Sequence, residues 1–355
     1  MPLISSFVIN ESHHDVGANQ WDRFIDAHPF GRHTHLSAFK TLLDQVYGIK
    51  SFYVGFLDSD GQLRGILTVS LIVNLFEKKL VSMPFSDYGG FLLQESWILP
   101  PEILKSALDK LLDITSARYV HIKGLADDSG LISVFSKHMD CEFAVLPLRT
   151  PDELLKVFDH SIRKNIARAE LKQLEFDENV ASEDFIKATY YPAYLKAMKK
   201  FGTPPHSLAY FFKMYQLMPD RIKIFTVGYE GEILSTLFGT VTGAGCYILT
   251  IFSEADPLKL RHSDYVHWRM IKWAAEKGLK SFDFSVMRYE GQKHFKSKWA
   301  PNVMEYAHYL YFGKNSPRNV NFLSKPNAIN TYWSRFMPGM FAHILGPQIR
   351  KRSGR

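Results

Sequence analysis

The sequence predicts an α/β (α+β) chain in which one mixed-sheet domain occurs twice in tandem, followed by a basic helical tail. Three observations carry that expectation. Phe52-Tyr-Val-Gly-Phe-Leu-Asp-Ser-Asp-Gly-Gln-Leu-Arg-Gly-Ile-Leu67 and Ile224-Phe-Thr-Val-Gly-Tyr-Glu-Gly-Glu-Ile-Leu-Ser-Thr-Leu-Phe238 both read strand, Gly-centred turn, strand, with Val54-Gly55 matching Val227-Gly228. The same succession of helix and strand follows each hairpin. A length of 355 residues also favours two domains over one.

Each element has a local reason. At the hairpin turns, Asp60-Gly61 and Glu230-Gly231 supply the glycine that a positive φ requires. After the first hairpin, further strands lead to a helix near Glu102–Thr115, with Leu104, Leu108 and Leu111 at helical spacing, and to a strand at Arg118–Lys123. After the second come a strand at Cys246–Phe252, a helix near Asp264–Lys277 carrying Trp268, Ile271 and Ala275 at the same spacing, and a strand at Ser281–Val286. Ser263 or Asp264 is expected to cap that helix and Gly278 to end it. Between the copies the pattern is helical, at Pro151–Phe158, Ser161–Lys172, Glu183–Lys200 and Ser207–Leu217. The expected division is 1–150, 151–315 and a tail at 316–355, since composition turns to Asn, Ser and Pro from about Gly313.

Composition narrows the function classes. A hydrophobic share of 46% and a charged share of 22% mark a folded globular chain. Cys141 and Cys246 draw neither a disulfide framework nor a zinc pattern, and the 14 histidines lack ligand spacing, so no metal site is expected. The net charge of +7 favours anionic partners or serves solubility. The N-terminus has no signal-peptide pattern, and the apolar run Leu63–Phe76 is broken by Arg64, Thr68, Ser70 and Asn74. A cytoplasmic protein is therefore expected, peripheral at the inner membrane face if its tail touches lipid. In that tail Trp333–Leu345 is amphipathic, with Phe336, Met337, Met340, Phe341, Ile344 and Leu345 inward and Arg350-Lys351-Arg352 and Arg355 beyond. Such a helix lies on an anionic surface or packs back on the body.

The candidate chemistry gathers in Ser281–Trp299. Phe282, Phe284 and Val286 alternate with Ser281, Asp283 and Ser285; a turn at Glu290-Gly291, just past Arg288, then delivers Phe295, Lys296, Lys298 and Trp299. A polar strand face with a basic, aromatic return suits a carbonyl or phosphate, and an ordinary half-exposed hairpin has the same pattern. Lys164, Arg168 and Lys172 recur every four residues beside Arg163 and Asn165, which makes either a phosphate-binding row or a solvated helix face. Asp87 and Tyr88 sit in the loop Pro84-Phe-Ser-Asp-Tyr-Gly-Gly-Phe91, which approaches a ligand or simply turns the chain. Arg261 and His262 precede a helix start, where unpaired N–H groups attract anions.

Taken in order, Pro84–Gly90, Ser161–Glu170, Phe201-Gly-Thr-Pro-Pro205, Trp268–Gly278, Phe282-Asp-Phe-Ser285, Gly291 and Phe295-Lys296-Ser-Lys-Trp299 resemble the FemAB-related branch of the Gcn5-related N-acyltransferase (GNAT) superfamily, in particular members found beside exopolysaccharide and exosortase genes. The resemblance spans roughly residues 30–312. It implies two tandem GNAT-like acyltransferase domains and transfer of an acyl or aminoacyl group to an amine. It also implies a lysine after phenylalanine, here Lys296, that stabilises the tetrahedral intermediate. Asp283, on the polar strand face, either accepts the ammonium proton or orients the amine, or else hydrogen-bonds a neighbouring loop. Asp87, Tyr88, Arg163, Lys164, Asn165, Arg168, Thr203, Arg261, Arg288, Phe295 and Trp299 then form the expected substrate-binding set. No tightly bound cofactor is implied, and the donor is left as acyl-CoA or aminoacyl-tRNA. Two family features are missing: Leu258–Ser263 holds no glycine for a pyrophosphate loop, and no heptad stretch forms a coiled-coil arm.

Three functions fit these residues. The first is an acyltransferase acting on an amine of a cell-envelope or exopolysaccharide precursor, an anionic or lipid-linked partner. The second is an aminoacyl-tRNA-dependent peptidyltransferase acting on a muropeptide precursor, with tRNA as partner. The third is a non-catalytic scaffold that binds a glycan or nucleotide sugar at the membrane surface.

Overall fold

A computed structural model describes residues 1–10, 17–124, 129–178, 180–256, 259–313 and 339–354. In chain order the first elements are β1 (Ser6–Asn10), α1 (Ala18–Ala27), α2 (Ser37–Tyr47), β2 (Ser51–Leu57), β3 (Leu63–Val73), β4 (Lys78–Ser82), β5 (Phe91–Leu93), α3 (Pro101–Thr115), β6 (Tyr119–Lys123), α4 (Ser129–Ile132) and β7 (Ser136–Pro147). There follow α5 (Pro151–Val157), α6 (His160–Leu171), β8 (Glu175–Asp177), α7 (Glu183–Phe185), a wide π turn at Ile186–Tyr190, α8 (Tyr191–Lys200) and α9 (Leu208–Leu217). The rest is β9 (Ile222–Tyr229), β10 (Glu232–Thr242), β11 (Gly245–Ser253), α10 (His262–Glu276), β12 (Ser281–Val286), α11 (Glu290–Ser297), β13 (Asn302–Phe312) and α12 (Gly339–Ser353).

These elements form two compact units. The first comprises Met1–Asp140, Met198–Lys213 and the described residues from Tyr306 onward; the second comprises Cys141–Ala197 and Met214–Glu305. The expected break at 150/151 falls elsewhere because Phe143–Pro147 of β7 pair with β12 and so belong to the second unit. The expected boundary near 315 also moves, since His308–Phe312 pair with β6. His206 joins the first unit too, its Nδ1 bonded to the Tyr47 hydroxyl at 2.7 Å.

The sequence repeat is a repeat of sheet topology. In the first unit β2, β3 and β4 are successively antiparallel, β4 runs parallel to β6, and β6 pairs antiparallel with β13. In the second, β9, β10 and β11 are successively antiparallel, β11 runs parallel to β12, and β12 pairs antiparallel with β7. A helix provides each parallel crossover, α3 in one unit and α10 in the other, as parallel pairing requires. The hairpin glycines Gly61 and Gly231 take φ of +73° and +80°.

Each unit has its own core. Leu104, Leu108 and Leu111 of α3 close over Phe52, Val54, Val69 and Val120 in the first. Trp268, Ile271 and Ala274 of α10 close over Phe225, Leu237, Phe282 and Trp299 in the second. Helix α12 packs on the first unit: Arg350 Nε donates to the Pro204 carbonyl at 2.7 Å and the Gly354 carbonyl accepts from Phe85 N at 3.3 Å. Ala342 and Gly346 take the packed face of this helix, and Ile344 and Leu345 are exposed. Trp333, Phe336 and Met337 lie outside the described residues, as do the side chains of Met340 and Phe341.

Candidate active site

Strands β11 and β12 stay paired only over Gly245↔Ser281, Cys246↔Phe282 and Tyr247↔Asp283. Past that point β12 shifts register against β7, and Ser285 adopts φ +67°. A left-handed serine is costly unless its surroundings fix it. Here the Asp283 carboxylate does so, its Oδ1 accepting from Ser285 N at 2.7 Å. The twist turns two carbonyls toward helix α11, where Lys296 Nζ donates to Ser285 O at 3.1 Å and to Val286 O at 2.6 Å.

Lys296 therefore does not reach into solvent; the residue is only 9% exposed. Its helix is anchored by aromatic packing. Trp299 meets Phe158 at 5.1 Å and His267 at 5.8 Å between ring centroids, and Phe295 meets His267 at 5.0 Å. His267 Nδ1 donates to the Ser263 carbonyl at 2.7 Å. Burial pushes the His267 imidazole down to about 4; the Ser263 bond opposes this and the Lys296 charge adds to it. The site thus pairs one buried cation with a neutral histidine.

Around the parting of the strands stand polar groups that sequence reading passed over. Tyr190, in the π turn, shares a hydrogen bond of 2.8 Å with Thr250 on β11 beyond its last pair with β12. Such wide turns recur at functional positions. Ser235 bonds both Ser253 and His262 Nδ1 at 2.7 Å. The usable signals were local: an aromatic pair Tyr190-Tyr191 inside a helical pattern, and serines on both strands of one hairpin.

Several expected site residues meet here, but with altered roles. Asn165 Nδ2 donates to Asp264 Oδ2 at 2.7 Å, joining α6 to the start of α10. Burial raises the Asp264 carboxyl, while that bond and the charges of Arg261 and Lys298 oppose the rise. Asp264 thus bonds a neighbouring helix and does not cap its own; Arg261 occupies the cap position with φ +66°. The Asp256 carboxylate accepts from Leu260 N and Arg261 N at 2.6 and 3.0 Å. Arg163 and Lys164 are exposed on α6 and Arg168 is half-buried, while Arg288 is exposed between β12 and α11.

Three expectations need correction. Glu290-Gly291 open helix α11 and do not turn a hairpin, since Gln292 N and Lys293 N bond the Tyr289 carbonyl. Strand β12 is not half-exposed: Asp283 is buried because β11 and β7 flank it on both sides. Trp299 is fully buried in the core and offers no surface to a substrate, and Phe295 packs against it at 6.2 Å.

Asp87, Tyr88 and Thr203 lie in the first unit. There the corresponding parting of β4 and β6 is filled by the unit's own loop. Gly89 N bonds Lys123 O at 2.8 Å, and Lys123 Nζ donates to Ser86 O at 2.8 Å and Met83 O at 3.3 Å. Gly90 takes φ +120°, and a Cβ there would lie 2.5 Å from Ser82 Cβ. Tyr88 is buried beneath Arg32, whose guanidinium carbon stands 4.4 Å from the ring centroid. Asp87 is half-buried, its carbonyl accepting from the Tyr306 hydroxyl at 3.2 Å. Thr203 N bonds the Met198 carbonyl at 2.9 Å.

Residues 157–297, which contain the whole β11–β12–α11 site, match the acetyltransferase (GNAT) domain family. The chain shares its fold with FemX (TM-score 0.68, 16% identity, 84% of this chain and 96% of that one). It is also similar to L-PGS from Bacillus licheniformis (TM-score 0.55, 13% identity, 95% and 97% covered). A tandem GNAT protein from the clavulanic acid biosynthesis pathway aligns with TM-score 0.50, 10% identity and coverage of 88% and 99%. No curated protein matches the sequence.

Proposed function

We propose that this chain, a FemAB-related tandem GNAT fold, is an N-acyltransferase whose chemistry resides in the second unit and whose acceptor is an amine on a cell-envelope or exopolysaccharide precursor. The observation that carries the reading is the buried Lys296 ammonium, fixed on two carbonyls where β11 and β12 part, inside the segment that matches the GNAT domain. The first unit supports the same assignment, since its own loop fills the corresponding position.

The chemistry follows from charge. An amine attacks the acyl carbonyl, a C–N bond forms, and the carbonyl oxygen becomes an oxyanion. A fixed cation in a dry site stabilises that charge without reorganising, and loss of one such group costs roughly 3 kcal/mol in the barrier. Collapse breaks the C–S bond of a thioester or the C–O bond of an aminoacyl ester, and the proton released by the amine ends on the leaving group. Asp283 serves this step by holding the Ser285 twist that positions the carbonyls beneath Lys296. Arg261, at the start of α10, and the Lys164–Arg168 face of α6 are the cationic groups we assign to an anionic donor or precursor.

Acyl transfer to an amine-bearing muropeptide or amino-sugar precursor tests the reading, with acyl-CoA and aminoacyl-tRNA supplied separately. Lys296→Ala is expected to lose about 100-fold in turnover, in line with a loss of roughly 3 kcal/mol. Full turnover in that variant removes Lys296 from the chemistry. Activity with aminoacyl-tRNA alone, weakening steeply with salt, selects the tRNA-dependent peptidyltransferase. Precursor binding with no transfer from either donor selects the scaffold.

A further inference from the structure

The most exposed apolar pair in the first unit lies at the tip of the β3–β4 hairpin. Leu75 is 85% and Phe76 90% exposed, and the preceding Val73 is 49% exposed. Exposed single apolar residues are ordinary on protein surfaces, whereas adjacent ones at a projecting tip call for a partner. This tip is held rigidly: Asn74 Oδ1 accepts from Phe76 N at 2.8 Å and from Glu77 N at 3.0 Å. Asn74 N also donates to the Glu77 carbonyl at 3.1 Å. The backbone that carries the two side chains is thus ordered by the tip's own bonds.

Behind the tip the charge is basic. Lys78 is exposed and pairs directly with Val73 across the hairpin, and Lys79 pairs with Ile72. Glu77, the one acid among residues 73–79, is engaged by Lys79 Nζ at 3.3 Å and the Tyr119 hydroxyl at 3.2 Å. The backbone of Arg118 bonds the Lys78 carbonyl at 2.8 Å, and the exposed Lys50 bonds Leu71 through its carbonyl at 2.8 Å. The basic end of α12 reaches the same strand, for a Cβ on Gly354 would lie 3.0 Å from Ile72 Cγ1. Arg352 is exposed there.

We infer that Leu75 and Phe76 insert into an anionic bilayer, with Lys78, Lys50 and Arg352 at the end of α12 meeting the head groups. Charge complementarity selects this occupant, because an apolar wedge backed by cations gains both from burial and from an anionic surface, and neither contribution alone gives stable attachment. The anchor is therefore the hairpin, with α12 acting as part of the folded body that brings its charges alongside. The inference stands independently of the transferase reading.

Sedimentation of the full chain with vesicles of phosphatidylglycerol and phosphatidylcholine, against phosphatidylcholine alone, tests it by binding and not by turnover. Wild type is expected to bind the anionic vesicles, to weaken with added salt, and to lose at least ten-fold in affinity as the Leu75→Ser, Phe76→Ser double variant. A Phe76→Trp variant is expected to shift its emission to the blue on binding. The near-complete exposure of both residues leaves folding intact, which thermal melting verifies. Absence of binding by wild type overturns the proposal, as does undiminished binding by the double variant with the Phe76→Trp emission unmoved. A double variant that converts a dimer to a monomer while binding vesicles normally also overturns it and assigns the tip to a second copy of this chain.

Discussion

The Lys296 ammonium lies 2.6 Å from the carbonyl oxygen of Val286, the residue that follows the left-handed Ser285 at the end of β12. One side chain from a helix thus closes a break in a strand. Asp283 secures that break from within, through its bond to Ser285 N.

That arrangement separates two roles for Asp283. Asp283→Asn retains an acceptor for Ser285 N and is expected to keep the melting temperature and most of the turnover. Asp283→Ala leaves a buried N–H without its acceptor and is expected to cost about 1–3 kcal/mol in stability, with turnover falling as Lys296 loses its platform. Thermal melting and acyl-transfer rates measured together decide the matter. An Asn variant that melts normally but is inactive would identify the carboxylate as a proton acceptor.

Acid is expected to destabilise the fold well above the carboxylate range. Burial holds His267 at about 4 and, with Arg32 nearby, holds His33 at about 3. In the unfolded chain such histidines take up a proton near 6.5, so between that pH and their folded values the unfolded state binds more protons. Stability is present above about pH 6.5 and is lost as pH falls toward 4. For His267 alone the loss is on the order of 3 kcal/mol. Melting temperatures across pH 7 to 4.5 should show this slope, and His267→Gln should make it shallower.

Helix α12 is expected to behave as part of the first unit's core. A Cβ on Gly346 would lie 2.4 Å from Pro205 Cδ and 2.9 Å from Pro205 N. Gly346→Ala should therefore destabilise by about 1–3 kcal/mol despite the better helix propensity of alanine. Chemical denaturation of the variant checks this, and an unchanged midpoint would mean the helix is not seated on that loop.

Trp299 should prove structural. Its ring is fully buried among Phe158, His267 and Phe284. Trp299→Ala is expected to cost about 3–5 kcal/mol, and Trp299→Phe much less. A Phe variant with normal melting and unaltered substrate KM would confirm that the indole contacts no substrate.

Much of the fold was legible because it is local. The hairpin glycines, the leucine spacing of α3 and the limits of β12 follow from backbone preference and periodicity, which act over a few residues. The placement of Lys296, Lys164, Arg168 and Asp283 in the second unit was equally readable from their order. Asp87, Tyr88 and Thr203 were harder to place, since a loop of glycines and aromatics reads alike whether it meets a ligand or fills its own sheet. The aromatic return of residues 295–299 misled for a related reason: the order that sets Phe295 near the end of α11 and Trp299 in the turn after it also lets a hairpin present them.

By itself the sequence determined the duplication, the order of elements and the charged residues at the second copy's carboxyl end, all consequences of short-range preference. Only the tertiary structure decided that the strap from Pro84 to Gly90 occupies the first copy's strand parting, that the end of β7 pairs into the second unit and the end of β13 into the first, and that Lys296 is buried on carbonyls. Those outcomes depend on which distant backbone groups find partners. A buried N–H or C=O must be satisfied wherever in the chain its partner lies, and no local pattern encodes that choice.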